Sequence, residues 1–211
     1  MSSIDVVMWD FGGVFTASPF HAVSEYATSM GADPVQYREI VFGTYDVDGD
    51  HAWHRLERGE ISMADAVAAI KAEAIAAGFD FDPREMFGSM RSSGGAQQAV
   101  VDAAWAQLEA GRRNAVLTNN VKEFSNGWRS LVPVDELFAE IIDSSEVGVR
   151  KPDPAIYQLA IERLGCPAER IVFLDDLEAN VVAARNCGLQ GIVVDVDPTA
   201  ALDELRAITS R

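Results

Sequence analysis

The sequence predicts an α/β fold, a parallel sheet covered by helices on both faces, with a helical lobe inserted after the first strand. Three observations lead there. Five short apolar runs, at 4–9, 114–118, 138–142, 171–174 and 191–196, have the length and composition of buried strands. Segments of helical period at 96–110, 154–164 and 177–187 lie between most of them, closing at Gly111, Gly165 and Gly188 as helix C-caps would. Residues 16–89 break this alternation, since they hold several amphipathic stretches and no convincing strand.

In chain order, Ile4-Asp5-Val6-Val7-Met8-Trp9 reads as a strand that delivers Asp10 into the glycine-rich turn Phe11-Gly12-Gly13-Val14-Phe15. Trp9, inside that strand, is expected to fill the core. Helices follow at 20–30, 34–43, 51–58 and 62–77, the last with Ser62 as N-cap and Asp65 in the capping-box position. Asp80-Phe81-Asp82-Pro83 is the expected return hinge, and Ser92-Ser93-Gly94-Gly95 a short turn. The expected division is thus a core of residues 1–15 and 90–211 with a lobe of residues 16–89.

Bulk properties narrow the function. A chain of 211 residues that is 48% apolar can bury a sizeable core. A formal net charge of −16 repels phosphodiester backbones and anionic membranes, so no nucleic-acid or membrane partner is expected. Cys166 and Cys187 lack metal-ligand spacing and read as small apolar residues of a reducing compartment. The N-terminal apolar run is too brief for a signal peptide or a span, and a cytoplasmic location is expected. A homodimer is compatible with these features.

Three signals follow Asp10 in order: Leu117-Thr118-Asn119, Lys151-Pro152-Asp153-Pro154 and Phe173-Leu174-Asp175-Asp176. All fall at the carboxyl ends of expected strands, where sites of such sheets form. With these motifs the chain resembles haloacid dehalogenase superfamily hydrolases that carry a helical cap after the first strand. It is most similar to the subgroup of epoxide hydrolase phosphatase domains and sugar-1-phosphate phosphatases. That likeness runs through Asp143-Ser144-Ser145-Glu146-Val147-Gly148, Lys151-Pro152-Asp153-Pro154-Ala155-Ile156-Tyr157 and Leu174-Asp175-Asp176-Leu177-Glu178-Ala179-Asn180-Val181.

The resemblance covers nearly the whole chain and implies a Rossmann-like core and hydrolysis of a small phosphorylated metabolite. It implies that Asp10 attacks phosphorus, splitting hydrolysis into formation and breakdown of an aspartyl phosphate. Approach of two anions calls for a divalent cation, and hard Mg²⁺ suits oxygen ligands. Asp10, the backbone carbonyl of Gly12 and Asp176 are the implied ligands, while Asp175 supports them from one step away. Thr118, assisted by Asn119, would grip a phosphate oxygen. Lys151 would neutralise charge on Asp10 and the transferring group.

One position departs from the pattern. Active relatives usually carry an acid two residues after the nucleophile, and this chain has Gly12. General acid–base help is worth about 10²- to 10⁴-fold. The enzyme is therefore expected to favour leaving groups that need little protonation, such as anomeric sugar, acyl or aryl phosphates, or to draw the proton from elsewhere. In the lobe, Asp46, Asp48 and Asp50 lack the terminal glutamate of a calcium loop. His51 and His54 read as surface residues. Two other functions stay open: a 2-haloacid dehalogenase, disfavoured because paired acids repel a haloacid carboxylate, and a weakly catalytic relative that binds a phosphorylated ligand or a protein.

Overall fold

The computed structural model describes residues 3–91 and 95–210, so most of the turn expected at 92–95 lies outside the described residues. Strand β1 (Val6–Trp9) sits at the centre of a five-stranded parallel sheet of order β3-β2-β1-β4-β5. Its neighbours are β2 (Arg113–Thr118) and β4 (Ile171–Asp175), with β3 (Glu140–Asp143) and β5 (Gln190–Val193) at the edges. Trp9 pairs with both Val116 and Leu174, and Thr118 with Asp143.

Period-two alternation builds a core on each face. Val7 and Trp9 enter one cluster with Val100 and Ala104 of α6 (Gln98–Glu109) and Leu202 and Leu205 of α12 (Thr199–Thr209). Val6 and Met8 enter the other with Ile156 and Tyr157 of α10 (Pro154–Leu164) and Ala184 of α11 (Glu178–Asn186). Trp9 is a core filler, as expected, and its indole N–H donates to buried Asn114 Oδ1 at 3.0 Å. Cys166 is buried and Cys187 half-buried, and neither is in a disulfide. Helix α12 has no counterpart in the sequence reading, although its buried Ala201, Leu202 and Leu205 follow a helical spacing.

Between β1 and α6 run α1 (Pro19–Ser29), α2 (Pro34–Phe42), α3 (Ala52–Glu57), α4 (Met63–Ala76) and α5 (Pro83–Arg91). Tyr37, Phe42, Trp53 and Ile70 make a third apolar cluster, which also takes Val121 from the loop after β2. The capping box is present. Ser62 Oγ accepts the Asp65 N–H at 3.2 Å and donates to the Asp65 carboxylate at 2.6 Å.

Two expectations are corrected. The segment expected to be a return hinge leads instead into α5, because Asp82 accepts the Arg84 N–H at 2.7 Å and Pro83 is preorganised for a first turn. His54 is not a surface residue: it is 2% exposed, and burial followed by the nearby Arg150 charge pushes its pKa down to about 3. Short helices α7 (Ser125–Arg129), α8 (Val134–Leu137) and α9 (Ser144–Val147) complete the chain. Among the described residues no helix is long and apolar enough to cross a membrane.

Candidate active site

The carboxyl ends of β1, β2 and β4 bring four separate chain segments to one place. Asp10 follows β1, and its N–H donates to Leu174 O at 2.8 Å, which ties it to the neighbouring strand. Asp10 Oδ1 accepts the Phe11 N–H at 2.7 Å and an ion pair from Lys151 Nζ at 2.9 Å. The same ammonium reaches Asp175 Oδ2 at 2.7 Å. Lys151 has no exposed surface, which rules out an ordinary surface lysine.

Neighbouring groups hold each of these side chains. Asp175 accepts the Leu177 N–H at 2.8 Å and two contacts from Asn180 Nδ2 at 3.0 and 3.1 Å. Asn119 accepts the Lys151 N–H at 2.8 Å and donates to Lys151 O at 3.0 Å. Both ends of its amide are thus spent on fixing the lysine backbone. Thr118 is freer: its hydroxyl makes one long contact, 3.5 Å to Asn119 O, and it lines the same cavity as Asp10, Lys151 and Asp176.

Charge at this point is unbalanced. Oxygens of Asp10, Asp175 and Asp176 lie within 4.8 Å of one another, three carboxylates around one ammonium. Burial raises the pKa of Asp10, opposed by Lys151 and reinforced by Asp175. Burial and then the other two carboxylates raise that of Asp176. Burial works to lower the Lys151 pKa, but Asp10 and Asp175 overcome it and raise it. Such a donor set, all oxygen and short of positive charge, fits a hard divalent cation.

These shifts predict a pH dependence. A carboxyl whose folded pKa is raised favours the fold most below its ordinary value, and the benefit disappears as pH climbs through the raised folded values. Chelator-treated protein should therefore melt lower at pH 8.5 than at pH 5, and Asp176→Asn should flatten that fall. Mg²⁺ should restore the wild type more at pH 8.5 than at pH 5. Differential scanning fluorimetry checks this, and parallel melting curves for the two proteins would refute it.

The two glycines after Asp10 differ. Gly13 has φ +83°, and a Cβ there would lie 2.1 Å from Asp176 Oδ2, so the absence of a side chain lets that carboxylate approach. At Gly12 a Cβ would meet only Pro19 Cδ, at 3.8 Å, an ordinary contact. The position that departs from the family pattern thus has room for a first side-chain carbon.

A cavity of about 500 Å³ opens from these groups toward the helices. Its wall contains a buried network that the sequence reading missed. Glu57 accepts Arg150 Nε at 2.8 Å, the Trp53 indole N–H at 2.8 Å and the Tyr45 hydroxyl. The Arg150 guanidinium also lies 4.5 Å from the Tyr45 ring centroid and 3.3 Å from Asp48 Oδ1. Asp48 is thus engaged by Arg150 and Arg58. Ser144 Oγ donates to Glu57 O at 2.7 Å, a second tie between α3 and the sheet side. No local pattern marks Glu57, whose arginine partner lies 93 positions away.

Residues 4–188 match the model of the haloacid dehalogenase-like hydrolases. The chain belongs to that family. Among curated relatives, bifunctional epoxide hydrolase 2 of Rattus norvegicus is 24% identical to the hydrolase over 98% of this chain and 39% of its own. A phosphatase of Mycobacterium tuberculosis is 36% identical over 46% of this chain and 47% of its own. The chain spans less than half the length of the curated relatives it matches.

Solved structures share the fold. A mutant family enzyme of Bacteroides thetaiotaomicron, complexed with magnesium and inorganic phosphate, aligns at TM-score 0.70 and 19% identity over 92% of this chain and 96% of its own. An L-2-haloacid dehalogenase of Xanthobacter autotrophicus with chloropropionic acid covalently bound aligns at TM-score 0.62 and 15% identity, over 96% and 88%.

Proposed function

We propose that this hydrolase is a Mg²⁺-dependent phosphatase of small phosphate monoesters that works through an aspartyl phosphate on Asp10. The observation that carries the reading is Lys151, fully buried, with its ammonium paired to Asp10 and Asp175 at the floor of a cavity that Asp176 and Thr118 also line. The similarity to a phosphatase of Mycobacterium tuberculosis supports it.

Asp10, Asp176 and the Gly12 carbonyl would hold Mg²⁺, which when bound screens the repulsion between the nucleophile and the anionic ester. Lys151 keeps the Asp10 carboxylate oriented and supplies positive charge where the transferring group passes. Its own direction is set by Asp175, and that of Asp175 by Asn180 and the Leu177 N–H. Asn119 serves by clamping the Lys151 main chain, and Thr118 offers the hydroxyl for a phosphate oxygen.

The dehalogenase reading has a structural neighbour in its favour, but a haloacid brings a carboxylate into a site already holding three. Turnover of p-nitrophenyl phosphate with and without Mg²⁺, beside chloride release from 2-chloropropionate, separates the two. Hydrolysis that needs Mg²⁺ and falls at least about 10³-fold in Asp10→Asn is expected, since loss of a nucleophile removes the covalent route. Metal-independent chloride release lost in the same variant would replace the phosphatase reading.

A further inference from the structure

Beyond the floor that holds Asp10, the cavity is walled by aromatic rings. On the helical side Phe20 packs edge-on to Phe42 and Tyr45, with ring centroids 4.8 and 4.5 Å apart, and Phe42 meets Trp53 at 5.0 Å. On the sheet side Phe11 lies 4.5 Å from Trp128. All six rings face the cavity.

Its polar side chains are largely committed. Glu57 is occupied by Arg150, Trp53 and Tyr45, Asn119 by the Lys151 backbone, and Asn120 by Asp143 and Ser125. Among the described residues that line the cavity, Lys151 is the sole cation. The buried Trp128 indole N–H, which also lines the cavity, has no partner among the described residues, but one neutral donor does not compensate a second phosphate or a carboxylate, and sugar hydroxyls would lose water for few bonds. An aromatic ring, in contrast, gains edge and face contacts on both sides.

Gly12 points the same way independently. With no acid two residues after the nucleophile, an ester whose oxygen can depart as an anion is favoured over one that needs a proton. A phenol ionises near the tyrosine value of about 10, whereas an aliphatic alcohol, like water, is a far weaker acid. We propose that the site takes aryl phosphate monoesters with no second charged group, in preference to sugar and alkyl phosphates. This assignment rests on the phosphatase reading above.

The steps balance without an added reagent. An Asp10 carboxylate oxygen bonds to phosphorus as the bond from phosphorus to the aryl oxygen breaks. The bonding pair leaves on the aryloxide, which takes a proton from solvent. Water oxygen then bonds to phosphorus, its proton goes to solvent, and the bond from phosphorus to Asp10 breaks. One ester and one water become one phenol and one hydrogen phosphate.

The test compares kcat/KM for 1-naphthyl phosphate, glucose 1-phosphate and n-butyl phosphate in saturating Mg²⁺. The naphthyl ester should lead n-butyl phosphate by at least about 10²-fold, the lower bound of what an acid supplies to a poor leaving group, and should also lead glucose 1-phosphate, whose hydroxyls find few partners on the aromatic wall. Gly12→Asp, whose Cβ would meet only Pro19 Cδ at 3.8 Å, should raise kcat for n-butyl phosphate relative to that for the naphthyl ester, since only the poor leaving group needs the acid.

Binding is read separately by calorimetry, with 1-naphthylphosphonate and inorganic phosphate as probes. The naphthyl group should tighten binding about tenfold in the wild type, and Phe20→Ala should remove most of that gain while orthophosphate binding holds. Orthophosphate binding with no gain from the naphthyl group, or equal turnover of the three esters, overturns the aryl assignment and leaves the phosphatase reading standing. No turnover of any ester together with no orthophosphate binding overturns both.

Discussion

Lys151→Met is expected to lower phosphatase kcat by about 10²- to 10³-fold or more, the range found when one preorganised charge partner is removed. It should also destabilise the fold. The ammonium is the cation between Asp10 and Asp175, at 2.9 and 2.7 Å, and all three side chains are nearly or wholly buried. Removing one member of a buried ionic cluster typically costs about 3–5 kcal/mol, because the remaining charges have no solvent.

The sign of the pH effect follows. Without the ammonium, the buried Asp10 carboxyl, whose pKa burial already raises, binds a proton more readily in the folded state than in the unfolded one, so the variant regains stability as pH falls. Urea melts at pH 8 and pH 5 measure this directly. A variant as stable as wild type at pH 8 would show that the lysine is not the counter-charge described here.

Gly13→Ala is the second large effect. Two penalties coincide at this residue: a left-handed backbone, costing a side chain about 1–2 kcal/mol, and a Cβ placed 2.1 Å from Asp176 Oδ2. The carboxylate has to move. Misplacement of a reacting group by about 1 Å can cost about 10²-fold in rate, and here the displaced oxygen belongs to the proposed Mg²⁺ ligand set. The expected signature is a raised Mg²⁺ concentration for half-activation along with the lost rate. Gly12→Ala, where the space is open, should change neither by much more than a few-fold. Equal behaviour of the two alanine variants would remove the distinction between them.

Much of this site was legible because its residues end strands. Asp10, Thr118 and Asp175 each close a buried apolar run, and a parallel sheet leaves such residues at one edge. Lys151 was recognisable from the Pro-Asp-Pro turn, and its helix starts at Pro154 with Asp153 accepting the Ala155 N–H at 2.8 Å. Other parts had no local signal. The cavity-lining Phe124 and Trp128 lie beside and within the short helix α7, too brief to show a period, and helix α5 was obscured because Asp82-Pro83 reads equally as a turn. His54 reads as exposed because no carboxylate or cysteine partner stands in register with it, yet folding buries it beside Arg150 and Arg58. Asn119 was read as a phosphate contact, and only coordinates reveal that its amide spans the lysine main chain.

Arg150 and Lys151 are consecutive, and their charges serve opposite ends of the cavity: one is clasped by Glu57 of α3, the other by the nucleophile. Because the Arg150–Glu57 pair is sealed from counterions, dissolved salt screens it little. The distance between the aromatic roof and the reacting oxygen is therefore held by a two-residue anchor that high ionic strength leaves in place.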